Sequence, residues 1–182
     1  MMFDRRAFLG AAAALALAGA SAYAAPGAES ADRVVLTTKY GKTVIQLRPD
    51  LAPKAVEQME TLTRQGFYNG LKFHRVIDGF MAQTGDPTGT GSGGSKLPDL
   101  PAEFSSAPFE RGTVGMARTQ DPNSANSQFF ICFAPASFLN NQYTVVGQVV
   151  SGMENIDKIK KGAPDSGSVD DPDTIVSMKV MK

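Results

Sequence analysis

One arginine in this chain stands where a charge is hard to place. The segment FHRVIDGFMAQTGD, Phe73 to Asp86, reads as two short strands, Lys72–Ile77 and Phe80–Thr84, around Asp78-Gly79. An Asp-Gly pair between apolar runs is a strong hairpin signal. Alternate side chains of a strand share a face. That periodicity puts Arg75 on one face with Phe73 and Ile77, and His74 and Val76 on the other. A cation among apolar neighbours is either paired or put to use. A guanidinium can be used as a permanently charged, planar fork of five N–H donors.

The other reactive side chains offer less. His74 is the single histidine; it has no partner histidine, and alternation turns it away from Arg75, so a packed structural residue is expected. Cys132 is the single cysteine and lies in the apolar run Phe129–Phe133, where a thiol behaves as a small buried hydrophobe. With no basic flank it is a poor nucleophile. Gly89-Thr-Gly-Ser-Gly-Gly94 matches GxGxxG, but Pro98 and Pro101 follow where a dinucleotide site needs a helix to begin. A flexible surface loop is expected from Pro87 to about Pro108. The acidic stretch Asp165 to Asp173 lacks a calcium-loop pattern and reads as solvated. No metal or cofactor is implied.

Composition bounds the rest. At 182 residues, 42% hydrophobic and 20% charged, the chain suits one globular domain with a real core. Its formal net charge is zero, and without a basic run nothing points to nucleic acid. One cysteine permits no intramolecular disulfide and leaves the redox compartment open. The N-terminus is more informative. Arg5-Arg6-Ala-Phe-Leu leads into an alanine-rich apolar run to Ala20, and Ser21-Ala-Tyr-Ala24 ends in a small-x-small pattern. These are the parts of a secretory signal of twin-arginine type, and the run is short of the roughly 20 residues needed to span a bilayer. The expected divisions are a cleaved signal over 1–24, a flexible tail over 25–31 and a domain over 32–182. The expected location is the periplasm, with no membrane attachment after cleavage.

The elements that must position Arg75 are mostly strands. VVLTTKY and TVIQL around Gly41 read as a hairpin, with Thr43, Ile45 and Leu47 on one face. Pro53 opens a helix where its missing N–H costs nothing, and Ala55, Val56, Met59 and Leu62 form an apolar stripe. Glu57 early and Arg64 late suit the helix dipole, and Gly66 suits a left-handed cap. Further strands are expected over Thr113–Arg118, Ser127–Phe133, Thr144–Val150 and Thr174–Met181. A short helix is expected over Gly152–Lys161, with Met153, Ile156 and Ile159 facing inward. Eight strands and two helices predict a mainly β fold, a closed antiparallel barrel capped by the helices.

The Phe73–Asp86 segment together with SQFFICF, Ser127 to Phe133, resembles the cyclophilins, the peptidyl-prolyl cis–trans isomerases, and the likeness runs from about Val34 to Met181. It implies the same eight-stranded barrel and a site of known composition. Arg75 stands at the catalytic arginine, with Gln83 able to orient it. Phe80, Met81, Phe130 and Leu139 match the proline pocket, and Gln128 the glutamine of the groove. Ala117 and Arg118 match the strand whose backbone holds the residue before proline. Phe138 and Tyr143 replace the tryptophan and histidine of many eukaryotic members, and phenylalanine here looks like the bacterial exported branch. The implied partners are proline-containing unfolded or partly folded polypeptides. Without the indole donor, cyclosporin binding is expected to be weak, and a monomer is expected. A chaperone or peptide-binding module with incidental turnover is the alternative reading.

Overall fold

The computed structural model describes residues 32–181; the expected signal segment 1–24 and tail 25–31 lie outside the described residues. The β-branched run that opens the domain forms β1, Arg33–Thr38, which turns through Gly41 into β2, Gly41–Leu47. Thr43, Ile45 and Leu47 are buried as alternation predicts. The remaining strands are β3 (Arg75–Ile77), β4 (Met81–Thr84), β5 (Thr113–Met116), β6 (Phe129–Cys132), β7 (Val145–Ser151) and β8 (Ser177–Val180). All neighbours pair antiparallel, in the order β3-β4-β6-β5-β7-β2-β1-β8.

The eight expected strands are present, and most are shorter than periodicity suggests. The barrel closes without a ladder between its edge strands β3 and β8. Irregular backbone laces that seam: Phe73 N–H donates to the Asp173 carbonyl at 2.8 Å, Ile175 to Leu71 at 2.9 Å and Val76 to Gly167 at 2.7 Å. Val176 precedes β8 and is 58% exposed.

The hairpin at β3 and β4 departs from expectation twice. Ile77 pairs with Met81, so three residues, not two, make the turn, and Phe80 is released from the strand. Strand geometry begins only at Arg75. Phe73 therefore escapes the alternation and lies in the main core with Val76, while Ile77 packs on a second apolar cluster. The reason is the seam, whose partners 167–175 take the backbone groups of Phe73 and His74.

Helix α1, Pro53–Arg64, buries Ala55, Val56, Met59 and Leu62 and packs against β8. Its first turn holds no acidic residue, because Glu57 lies too far along the helix. Glu103 serves instead: its carboxylate accepts from the N–H groups of Lys54 at 3.1 Å and Ala55 at 3.0 Å, satisfying two orphan donors from a distant loop. At the other end Gly66, at φ +70°, completes a Schellman cap. Phe67 N–H reaches the Leu62 carbonyl and Gly66 N–H that of Thr63, both at 3.0 Å. Helix α2 is shorter than expected, Met153–Asp157, and packs against β2. Ile156 and Ile159 are buried and Met153 partly so. A 3-10 turn over Ser137–Leu139 joins β6 to β7.

Candidate active site

β3 and β4 place Arg75 directly opposite Gln83, and cross-strand partners lie close enough for their side chains to interact. Arg75 Nη1 donates to Gln83 Oε1 at 3.2 Å, and Nε donates to the Ser166 carbonyl at 3.1 Å. The guanidinium is half-buried rather than buried, and two neutral acceptors hold it. The ion pairs among the described residues are Lys39–Asp173, Arg48–Asp50, Arg64–Glu60 and Arg111–Asp157, so no carboxylate neutralises Arg75. Among these residues Nη2 has no acceptor, and one arm of the fork is free to donate.

The orientation of Gln83 follows from a chain of amides. Gln128 Nε2 donates to the carbonyls of Gly91 at 3.0 Å and Gly93 at 2.8 Å. With its N–H groups spent, Gln128 presents Oε1, which accepts from Gln83 Nε2 at 2.9 Å. Gln83 must then turn its own oxygen toward Arg75. The glycine-rich loop thus fixes the arginine through two glutamines.

That loop is anchored where a flexible one is expected. Asp86 Oδ1 accepts from Thr88 N–H at 2.7 Å and its hydroxyl at 2.8 Å, while Oδ2 accepts from Thr90 N–H at 3.1 Å and Gly91 N–H at 2.6 Å. Burial pushes the Asp86 carboxyl up, but these donors outweigh it and hold its pKa down at about 2. Asn126 ties the next stretch, accepting from Ser95 N–H at 2.8 Å and donating to the Leu97 carbonyl at 2.9 Å.

Facing Arg75 is a groove of about 400 Å³, with Phe80, Met81, Phe130 and Leu139 in its lining. Its floor is an apolar cluster separate from the main core, built on Met81, Phe109, Phe130, Cys132, Leu139 and Val145. Gly115 makes this floor possible. A Cβ there would lie 2.5 Å from Phe130 and 2.6 Å from Phe109, whose rings stack at 5.8 Å. Tyr143 meets Phe130 edge-on at 6.0 Å, and Phe138, 63% exposed, leans on Phe80 at 5.2 Å.

Ala117 and Arg118 also line the groove, but β5 ends at Met116 and not at Arg118. The Arg118 side chain turns back, donating to the carbonyls of Thr119 at 2.8 Å and Gln142 at 2.9 Å. It lies over the Tyr143 ring at 4.4 Å. A neighbouring pocket of about 470 Å³ shares Gln83, Ala117 and Arg118 with the groove, and it is this pocket that Gln128 lines. All eleven residues expected at the site therefore come together, ten in the groove and Gln128 in the adjoining pocket beside Gln83, Ala117 and Arg118.

Two contributors escape the sequence reading. Gln142 lines the groove and braces its rim, donating to the Phe138 carbonyl at 3.1 Å. The acidic loop expected to be solvated supplies Ser166 to Arg75 and buries Asp173, which accepts from Tyr40 at 3.2 Å and pairs with Lys39 at 2.6 Å. His74 is buried outside both pockets, beneath Gly91, and neither ring nitrogen has a hydrogen-bond partner among the described residues. Burial holds its pKa below the ordinary value although Asp86 pulls the other way. Cys132 is fully buried, and burial pushes its thiol up to about 12.

The arrangement can hold an apolar ring in a slot while a fixed N–H fork faces it. Comparisons with known proteins point the same way. The family model for cyclophilin type peptidyl-prolyl cis-trans isomerases matches residues 33–180. A probable peptidyl-prolyl cis-trans isomerase of Brucella suis is 54% identical over 192 aligned positions, covering 99% of this chain and 97% of its own. The crystal structure of a Cryptosporidium parvum cyclophilin type isomerase in the presence of the dipeptide Ala-Pro is 30% identical. It has a TM-score of 0.76 over 82% of this chain and 99% of that one. A cyclophilin from Hirschia baltica, 28% identical, has a TM-score of 0.74 over 82% and 73%.

Proposed function

The chain belongs to the cyclophilin-type peptidyl-prolyl cis-trans isomerases, and on that premise we propose that it turns X–Pro bonds in exported polypeptides, with Arg75 as donor to the twisted amide. The observation that carries the mechanism is that one arm of Arg75 has no partner among the described residues and faces an apolar slot. Rotation must break amide resonance, a barrier of about 18–20 kcal/mol, and unaided it takes about 10–100 s. No bond to the substrate is made or broken, so neither a nucleophile nor a proton relay is needed. In the twisted amide the nitrogen lone pair is localised and accepts a hydrogen bond that the planar forms cannot. A donor aimed at that position binds the transition state selectively. Shortening about 100 s to about 1 ms requires roughly 7 kcal/mol. One preorganised donor in a water-poor site supplies about 3–4 kcal/mol. The slot formed by Phe80, Met81, Phe130 and Leu139 supplies the rest by gripping the proline ring while the flanking chain turns. The Ala-Pro dipeptide present with the Cryptosporidium parvum structure supports a proline ligand here. Acceleration of X–Pro isomerisation in a short peptide by substoichiometric protein tests turnover; a peptide-binding module would not accelerate it.

Export rests on Arg5-Arg6, the apolar run and Ser21-Ala-Tyr-Ala24, which support cleavage after Ala24 and periplasmic folding work in the bacterial exported branch. Replacing Arg5 and Arg6 together by lysine should block twin-arginine export, so that fractionation finds the uncleaved chain in the cytoplasm. Export that persists in this variant and stops when the general secretion route is blocked would overturn the pathway assignment.

Phe138 supports weak cyclosporin binding. It offers a largely exposed aromatic face but no N–H donor. A net hydrogen bond of about 0.5–1.5 kcal/mol and about 1 kcal/mol of contact area together amount to roughly tenfold or more. Phe138→Trp is expected to tighten inhibition by about that factor. Equal inhibition constants for the two proteins would show that this position does not set the sensitivity.

A further inference from the structure

Arg118 stands where the groove meets the neighbouring pocket, and its side chain is held by three backbone carbonyls and the face of Tyr143. Gln83, Ala117 and Arg118 are the residues common to both linings. A peptide whose proline sits against Phe80, Met81, Phe130 and Leu139, and whose chain continues into the second pocket, must pass the Arg118 guanidinium. We propose that Arg118 makes the enzyme select substrates carrying an acidic side chain next to proline, on the side that enters the second pocket. This rests on the groove being the isomerase site.

The charge arrangement carries the proposal. Arg118 donates to the carbonyls of Thr119, Gln120 and Gln142 and lies over Tyr143. Those partners fix the guanidinium without cancelling its charge, and no carboxylate forms an ion pair with it among the described residues. The groove lining contains two arginines, Arg75 and Arg118, and no aspartate or glutamate. The carboxylate that lines the second pocket, Asp99, is exposed and accepts from Asn126 Nδ2 at 2.9 Å. The potential is therefore positive at the junction and weakens toward Asp99. Exposed ion pairs gain little partly because two long side chains must be ordered. Here one partner is already ordered, so a glutamate next to proline is favoured and a lysine opposed.

The test uses proline peptides that differ only in glutamate, glutamine or lysine, placed either before or after proline. With wild-type protein at low salt, kcat/KM at one of the two positions should favour glutamate over lysine by about three- to fivefold, the range of a modest ion pair. The ratio should shrink at high salt, where charges are screened within a few ångströms. In Arg118→Gln the glutamate-to-lysine ratio should fall at least by half, with the glutamine peptide as internal reference for any general loss, and Arg118→Lys, which keeps the charge but not the fork that orders it, should restore it only in part. A wild-type ratio near one at both positions would overturn the proposal, and this reading needs no variant to fold. So would an unchanged ratio in Arg118→Gln. If the groove itself were misassigned, Arg75→Ala would leave the glutamine peptide turned over normally, which separates that failure from this one.

Discussion

Arg75→Ala is expected to lower kcat/KM for X–Pro isomerisation by about 10²–10³, the effect of losing one preorganised donor, while the barrel stays folded. The fold does not lean on this side chain: Arg75 is half-buried and among the described residues pairs with no carboxylate, and its partners are Gln83 and the Ser166 carbonyl. Arg75→Lys should recover little, because an ammonium lacks the planar fork that reaches Ser166, Gln83 and substrate at once. A chromogenic peptide assay, with circular dichroism as the control for folding, measures both. Normal kcat/KM in a folded Arg75→Ala protein would end the mechanism.

The second large effect is on stability and follows from Asp86. Its buried carboxylate gathers three backbone N–H groups and one hydroxyl. Asp86→Ala leaves those donors without a partner and should destabilise the protein by about 3 kcal/mol, the order expected for losing charge-assisted bonds in a buried place. The pH dependence has a definite sign. The folded-state pKa, about 2, lies below the ordinary 3.8. The contribution is therefore complete above about pH 4 and is lost as pH falls from there toward 2. Wild-type protein should lose of order 2 kcal/mol to this group across that window, and Asp86→Asn should lack that component. Urea unfolding at pH 6 and pH 2 measures it, with about half of the loss already present at pH 3; parallel losses in both proteins would show that Asp86 is not the titrating anchor. Catalysis should suffer too, because the same loop supplies the Gly91 and Gly93 carbonyls that orient Gln128, then Gln83, then Arg75.

Local pattern revealed much of this. Alternation in β2 and the apolar stripe of α1 follow from one residue's neighbours in sequence, and those readings hold at Thr43, Ile45, Leu47, Met59 and Leu62. The site residues were legible mainly because two motifs, Phe73–Asp86 and Ser127–Phe133, stand nearly intact. What stayed hidden depends on contacts distant in sequence. Glu103 caps α1 from 48 residues away, and Ser166 holds Arg75 from 91 residues away. No local period announces either. Phe73 defeated alternation because the seam, not a strand, claims its backbone. For Arg118 the motif speaks only of the backbone; that its side chain spans two pockets and covers Tyr143 emerges only once the loops are in place.

In the proposed mechanism Arg75 recognises the twisted amide rather than the bound peptide. Two-dimensional exchange NMR of an Ala-Pro peptide at saturating protein measures the interconversion rate on the enzyme and the affinity separately. For Arg75→Ala against wild type, the on-enzyme rate should fall about 10²–10³-fold while the dissociation constant changes by no more than about threefold, since the apolar slot is untouched. A variant that interconverts the bound peptide at the wild-type rate but binds it far more weakly would contradict the account and make Arg75 a binding residue.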